Sequence, residues 1–351
     1  MYNTKVQIVD HLHFCKISFF NECNDNIKYA LYIYDRGEVT KLSYNDHSEF
    51  TYFYKHDFSV ISLKLFTKNI DNEALSTQSF PNIYSYRICK SLENLSFEES
   101  FEVDYISNWR TPVRYIKNKN SENKRLLVFL NGALSNKSRY PLYNRISWQE
   151  KFNSDCLYIY DSSLSQDHSY LLAWYVGNSQ NILYQEIIRL IRKARDDLGF
   201  HNNQIVFYGS SGGGFAALKL AEYFKESTAV AINPQIEIFN YGNKNAVDNF
   251  IRFTFNKIPP NLIKDKYQKW IKIDPNAFRC GSSKFIYVQN IVDGEHYRVH
   301  LKPFWKHFSK NIESGFDDSN HNQLIIYDHP SGHAGEPPEV LEKILSKLEE
   351  M

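Results

Sequence analysis

Residues 205–215 read Ile-Val-Phe-Tyr-Gly-Ser-Ser-Gly-Gly-Gly-Phe, which sets Gly209, Ser211 and Gly213 in a G-x-S-x-G frame. A serine hydroxyl is a poor nucleophile near neutral pH. It becomes one when an imidazole takes its proton and a carboxylate orients that imidazole. A tight strand-to-helix turn presents such a hydroxyl at a sheet edge, and small neighbours let the chain fold back without Cβ clashes. The Gly212 N–H and the N-terminus of the following helix then offer positive dipole to an oxyanion. A flexible turn or a phosphate-binding loop also uses glycines, but no Lys-Ser/Thr follows 212–214 as a P-loop needs. The β-branched run 204–208 before the motif and the Ala/Leu-rich run 215–225 after it are the context of a nucleophile elbow.

The partners of such a serine are expected downstream, acid first and histidine last, each just past a strand. The apolar run 284–289 is followed by Asn-Ile-Val-Asp-Gly-Glu-His, and the run 323–327 by Asp-His-Pro-Ser-Gly-His-Ala-Gly. Asp293 is the expected acid, with Glu295 and Asp328 as alternatives. His333, in a Gly-containing loop, is the expected general base, with His329 as its competitor. The second oxyanion donor is expected after the run 126–130, where Asn131-Gly132-Ala133-Leu134 supplies the backbone of Gly132 and Ala133 alongside Gly212. Asn-Gly is also an ordinary turn. Trp174 and Tyr175 are candidates for an aromatic wall over a sugar ring, or for a buried amphipathic segment, and His296 is a further candidate substrate contact. His296 and His300 near Asp293 suggest a metal pair, but nothing completes a ligand set, so no metal is expected.

These loops need a scaffold. From Arg125 onward, apolar runs at 126–130, 156–160, 205–208, 228–232, 284–289 and 323–327 alternate with helical periodicity, as in 182–198 and 339–349. Continuous apolar strands separated by helices predict an α/β unit, a mostly parallel sheet covered on both faces. Upstream, short β-rich runs at 29–34, 38–42, 50–54 and 58–66 predict a small β-sandwich. Residues 67–120 read as polar and mixed. The hydrophilic stretch 118–124 sets the expected division: an accessory β-domain with linker over 1–120 and a catalytic domain over 121–351.

Bulk composition narrows the classes. The chain has 351 residues with a net charge of +1 and no dense Lys/Arg cluster, which argues against nucleic acid as a partner. Its aromatic fraction of 16% fits AT-rich codon usage, so it does not by itself mark a sugar-binding surface. The 5 cysteines lack C-x-x-C spacing, which argues against a disulfide framework or a thiolate zinc site. No run approaches the ~20 apolar residues of a membrane helix, and no secretory signal opens the chain. A cytoplasmic location is the resulting expectation.

Gly209-Ser-Ser-Gly-Gly-Gly, Ile232-Asn-Pro-Gln235, Asp293 with Tyr297 and His300-Leu301, and Ser331-Gly-His333 together resemble the α/β-hydrolase-type capsular polysaccharide O-acetyltransferases. The order of N-terminal strands and a hydrolase-like unit also resembles the acetyltransferase-like accessory Sec component that modifies adhesin glycans. The resemblance covers about 230 residues from Arg125. It implies an α/β-hydrolase fold, a Ser211–Asp293–His333 triad, an acetyl-serine intermediate, acetyl-CoA as donor and a bacterial glycan hydroxyl as acceptor. An esterase or deacetylase with the same triad is the alternative. The chain departs from the family in having Gly212 where the family has lysine, a longer Asp293–His300 spacing, and the added N-terminal strands.

Overall fold

The structure, a computed structural model, describes residues 4–10, 14–20, 27–55, 58–118, 125–135, 141–167, 169–256, 258–279 and 282–351. The chain forms two compact units, Met1–Asn94 with Val103–Arg110, and Leu95–Glu102 with Thr111–Met351.

The first unit contains β1 (Lys5–Asp10), β2 (Phe14–Phe20), β3 (Lys28–Asp35), β4 (Glu38–Asn45), β5 (Glu49–Phe53), β6 (Phe58–Lys68) and β7 (Ala74–Cys89). Antiparallel pairing gives one sheet in the order β1-β2-β5 and another running β7-β6-β3-β4. Strand side chains alternate between faces, so every second residue turns inward. Cys15, Ile17 and Phe19 of β2, Phe50 and Tyr52 of β5, Leu31 and Ile33 of β3, and Ile61, Leu63 and Leu65 of β6 share one core. This is a small sandwich of two antiparallel sheets, as the short β-rich runs predict. The buried Asp35 carboxylate accepts from the Tyr52 hydroxyl.

Residues 67–120 carry more order than their composition suggests. They contain β7, β8 (Phe101–Ile106) and β9 (Arg110–Ile116). The sequence Ala-Leu-Ser-Thr-Gln-Ser-Phe-Pro of β7 is polar and holds a proline, which hides a strand from pattern reading.

In the second unit β9, β10 (Leu126–Leu130), β11 (Asp155–Ile159), β12 (Ile205–Ser210), β13 (Thr228–Ile232), β14 (Lys284–Asn290), β15 (Gly315–Phe316) and β16 (Gln323–Tyr327) form a sheet. Its order is β15-β16-β14-β13-β12-β10-β11-β9. The six strands from β16 to β11 are parallel, and β9 and β15 pair antiparallel at the two ends. Every residue of β10, β11 and β13 is buried, as in a sheet with both faces covered.

The main helices are α1 (Leu183–Asp197), α2 (Gly212–Ala221), α3 (Lys244–Phe250), α4 (Pro260–Ile271), α5 (Gly294–His296), α6 (Lys302–Trp305) and α7 (Pro338–Glu350). α1 buries Leu183, Ile187, Leu190, Ile191 and Ala194, and α7 buries Val340, Leu341, Ile344 and Leu348, the i, i+3, i+4 stripe of an amphipathic helix. α2 is buried at every position. Between α5 and α6 the chain makes a wide π-type turn over Tyr297–Leu301, an irregularity often found beside functional residues.

The register places the site. Leu130 lies opposite both Ile159 and Gly209, Ser210 opposite Ile232, Ile232 opposite Val288, and Asn290 opposite Tyr327. The carboxyl ends of the six parallel strands therefore share one edge, where open α/β sheets bind ligands. Asn131, Ser211, Asn233, Asp293 and the 328–336 loop all leave from that edge.

Candidate active site

Ser211 joins β12 to α2 at φ 54, ψ −121, a conformation that non-glycine residues rarely adopt and that needs external support. Support comes from its N–H donating to Ile232 O at 2.8 Å and its carbonyl accepting from Phe215 N–H at 2.9 Å. The turn is tight enough to dictate its glycines. A Cβ on Gly209 would sit 2.2 Å from Gly213 O, and one on Gly213 would sit 2.5 Å from Leu130 O.

The fold brings three distant side chains to the hydroxyl. His333 Nε2 lies 2.8 Å from Ser211 Oγ, and His333 Nδ1 lies 2.6 Å from Asp293 Oδ2. A carboxylate only accepts, so Nδ1 carries the ring proton and Nε2 of the neutral ring accepts the serine O–H. Burial opposes the charge on Asp293, but hydrogen bonds from His296 and His333 outweigh it and hold the carboxyl well below the usual carboxylate range. Asp293 is thus ionised, and it also N-caps α5. The His333 side chain keeps 34% of its surface exposed, so the Ser211–His333 edge is open to an incoming molecule.

A second set of bonds reaches the same oxygen. Gln235 Nε2 donates to Ser211 Oγ at 3.1 Å and lies 2.8 Å from His296 Nε2. Trp174 Nε1 donates to Gln235 Oε1 at 2.9 Å. An indole N–H can only donate, which fixes the orientation of the amide. His296 Nε2 is therefore an acceptor, and its Nδ1–H faces Asp293 Oδ1 at 3.1 Å. The His296 and His333 rings stack with centroids 4.2 Å apart. His296 is buried behind this stack rather than presented to a substrate. His300, next along the helix, accepts from Ile236 N–H, and burial pulls its pKa down to about 3.

Asp293, His296 and His333 bring metal-ligand atom types within 4.8 Å of one another. Both Nδ1 atoms are engaged as donors to the carboxylate, however, so the set is arranged around protons rather than a cation.

The remaining expected residues distribute as follows. A Cβ on Gly132 would lie 2.9 Å from Ser210 O and 3.7 Å from Ser211 Cβ, so the 131–134 loop passes against the elbow. Leu134 N–H is taken by Leu171 O, which leaves Gly132 and Ala133 as the loop's candidate oxyanion donors, with Gly212 at the start of α2. Trp174 and Tyr175 need correction as an aromatic wall. Both are wholly buried at positive φ and offer no face to a sugar. Trp174 orients Gln235, while the Tyr175 hydroxyl accepts from Asn131 N–H at 2.7 Å and fixes the oxyanion loop. The alternatives lie elsewhere: His329 Nδ1 is 2.6 Å from Ser331 Oγ, Glu295 lies against Gly242, and Asp328 is exposed. Ser210, the neighbouring serine, accepts from Arg145 Nη2 at 3.1 Å.

Several supporting residues escape sequence reading. Asn290 Nδ2 donates to His329 O at 2.7 Å and Gly332 O at 2.8 Å, and Asn233 Nδ2 donates to Ala334 O at 3.0 Å. These bonds hold the His333 loop. Its far end is anchored by Glu336, which accepts from Arg145 Nε at 2.7 Å and Nη2 at 2.5 Å, and from the Tyr208 hydroxyl at 2.6 Å. Burial works against the Glu336 charge, but Arg145 outweighs it and holds the carboxyl below its ordinary value. Asparagine directly after a buried strand was the one available signal, since its side chain can tie adjacent loops together.

No protein-family model and no curated protein matches the chain. Solved structures do. The capsule O-acetyltransferase of Neisseria meningitidis serogroup A aligns at TM-score 0.50 and 16% identity, over 73% of this chain and 100% of that one. An acetyl xylan esterase from Paenibacillus sp. R4 aligns at TM-score 0.46 and 13% identity, over 99% of this chain and 89% of that one. The glycosylation-associated protein complex from Streptococcus agalactiae aligns at TM-score 0.45 and 11% identity, over 98% and 71%. At such identities the likeness is one of fold, and the fold is that of the α/β hydrolases.

Proposed function

We propose that the chain is a serine-dependent acyltransferase that carries an acetyl group from acetyl-CoA, through acyl-Ser211, to a hydroxyl of a bacterial surface polysaccharide or other glycan. The continuous bonding from Asp293 through His333 to Ser211 carries this reading. The likeness to a capsule O-acetyltransferase supports the choice of acyl group and acceptor class.

In this reading His333 Nε2 takes the Ser211 proton as Oγ attacks the thioester carbonyl. The N–H groups of Gly212 and of Gly132 or Ala133 receive the oxyanion, and ionised Asp293 stabilises the imidazolium. Collapse expels the thiolate, which takes up the proton. A sugar hydroxyl then gives its proton to His333 and attacks the acyl carbon, and Ser211 is regenerated.

Hydrolysis by the same groups is the second reading, favoured by the open edge at His333, which water also reaches. The two separate in one experiment with acetyl-CoA, added polysaccharide and, in parallel, a chromogenic acetyl ester. Free CoA that appears only with polysaccharide supports transfer. Rapid ester turnover without acceptor supports hydrolysis. Neither activity, with no labelling by a fluorophosphonate, sinks both readings.

A further inference from the structure

We propose that Gln235 is a catalytic donor to Ser211 Oγ, and that His296 positions it, forming a second arm on the nucleophile beside the His333 arm. The proposal rests on the acyl-Ser211 reading. Five side chains close a ring: Ser211 to His333 at 2.8 Å, His333 to Asp293 at 2.6 Å, Asp293 to His296 at 3.1 Å, His296 to Gln235 at 2.8 Å, and Gln235 back to Ser211 at 3.1 Å.

The protons around the ring have one consistent assignment. Trp174 donates to Gln235 Oε1, so both amide hydrogens point away from it, one to Ser211 and one to His296. His296 therefore accepts at Nε2 and donates at Nδ1 to an ionised carboxylate. The His333 ring donates at Nδ1 and accepts the serine proton at Nε2. Turning the amide over would set donor against donor at Trp174. Trp174, Gln235 and His296 are all buried, so no solvent relieves that clash. The N–H aimed at Oγ is thus in place before any reaction.

Its effect differs between the two halves of the cycle. During acylation Oγ attacks, and a donor on it restrains a lone pair. During breakdown of the acyl-enzyme, the acceptor oxygen bonds to the acyl carbon and gives its proton to His333 Nε2. The carbon–Oγ bond then breaks, the electron pair stays on Oγ, and His333 returns the proton there. Charge grows on Oγ as that bond breaks, and the Gln235 N–H is the donor already in reach. The arm accordingly accelerates breakdown more than formation.

The test is rapid-mixing kinetics of the full chain with p-nitrophenyl acetate, separating the acylation burst from the steady rate, with intact-mass detection of acetyl-enzyme. Q235M and Q235E should slow breakdown by about tenfold or more relative to acylation, the order expected for a hydrogen bond to a charged oxygen, so acetyl-enzyme accumulates. Q235E keeps the acceptor for Trp174 and serves if Q235M fails to fold. H296N, which retains only the donor toward Asp293, should accumulate acetyl-enzyme as Q235M does. H296Q, which places an acceptor near the Nε2 position, should restore breakdown. Equal slowing of both steps, slowing of neither, or identical behaviour of H296N and H296Q overturns the proposal. S211A tells its failure apart from failure of the underlying reading: persistent turnover in S211A removes the acyl-serine itself, whereas a dead S211A beside unchanged Gln235 variants removes only the arm.

Discussion

Replacing Arg145 by methionine tests how the His333 loop is held. The Arg145 side chain is 8% exposed and that of Glu336 0%, and the guanidinium meets the carboxylate through two bonds at 2.7 and 2.5 Å. Removing one partner of a buried pair leaves an uncompensated charge and costs about 3–5 kcal/mol. Against a total stability of about 5–15 kcal/mol, that loss is readily measured by urea unfolding. The pH dependence makes the prediction sharper. In the native chain Glu336 has a depressed pKa, so its stabilising contribution is present above the unfolded value of about 4.3 and is lost as pH falls. In R145M the Tyr208 hydroxyl still donates to Glu336, but burial, the largest influence on the carboxyl, is no longer opposed by a cation and raises its pKa, giving a penalty that is full at neutral pH and relieved by protonation. The stability gap between native and R145M chains should therefore be widest near pH 7.5 and close toward pH 4. The double variant R145M/E336L should recover part of the loss at pH 7.5. A gap that stays constant with pH, or no gap at all, would refute the assignment of a buried ion pair to this anchor.

Other substitutions probe the site directly. D293N should keep the fold but leave His333 in the wrong tautomer, lowering kcat by about 10⁴-fold, as measured by acetyl ester turnover. G213A should destabilise the chain by about 1–3 kcal/mol or more in urea unfolding and abolish turnover, because its Cβ would meet Leu130 O at 2.5 Å and Asn131 O at 2.9 Å. N290A removes the donor to His329 O and Gly332 O and should lower kcat by about 10²-fold by misplacing His333, while leaving KM for the ester little changed.

The sequence made the second unit legible because its chemistry sits at strand ends. Ser211, Asp293 and His333 each follow a mainly apolar run, and such runs are visible without any knowledge of tertiary contacts. The elbow was equally visible, since no residue but glycine fits at 209 and 213. What stayed hidden depends on pairing across the fold. Arg145 and Glu336 lie 191 positions apart, and neither has a local pattern to mark it. Gln235 was visible as part of an Asn-Pro-Gln stretch, but its bond to Ser211 exists only because β12 and β13 are neighbours in register. Trp174 and Tyr175 show the opposite error. Large aromatics near a site invite a ligand, yet here their polar atoms fasten Gln235 and Asn131 from inside the core. β7 was missed because its first half, Ala74–Pro81, has neither a continuous apolar run nor a regular period-two alternation, and it contains a proline.

The covalent role of Ser211 is most directly examined by quenching the protein in acid milliseconds after mixing with an acetyl ester and mapping the acetyl group by peptide mass spectrometry. One acetyl group on the peptide containing Ser211, placed on that residue by fragmentation and missing from H333A, is the predicted result. Acetyl on Ser210, or turnover with no acetylated intermediate in either the native chain or Q235M, would contradict it.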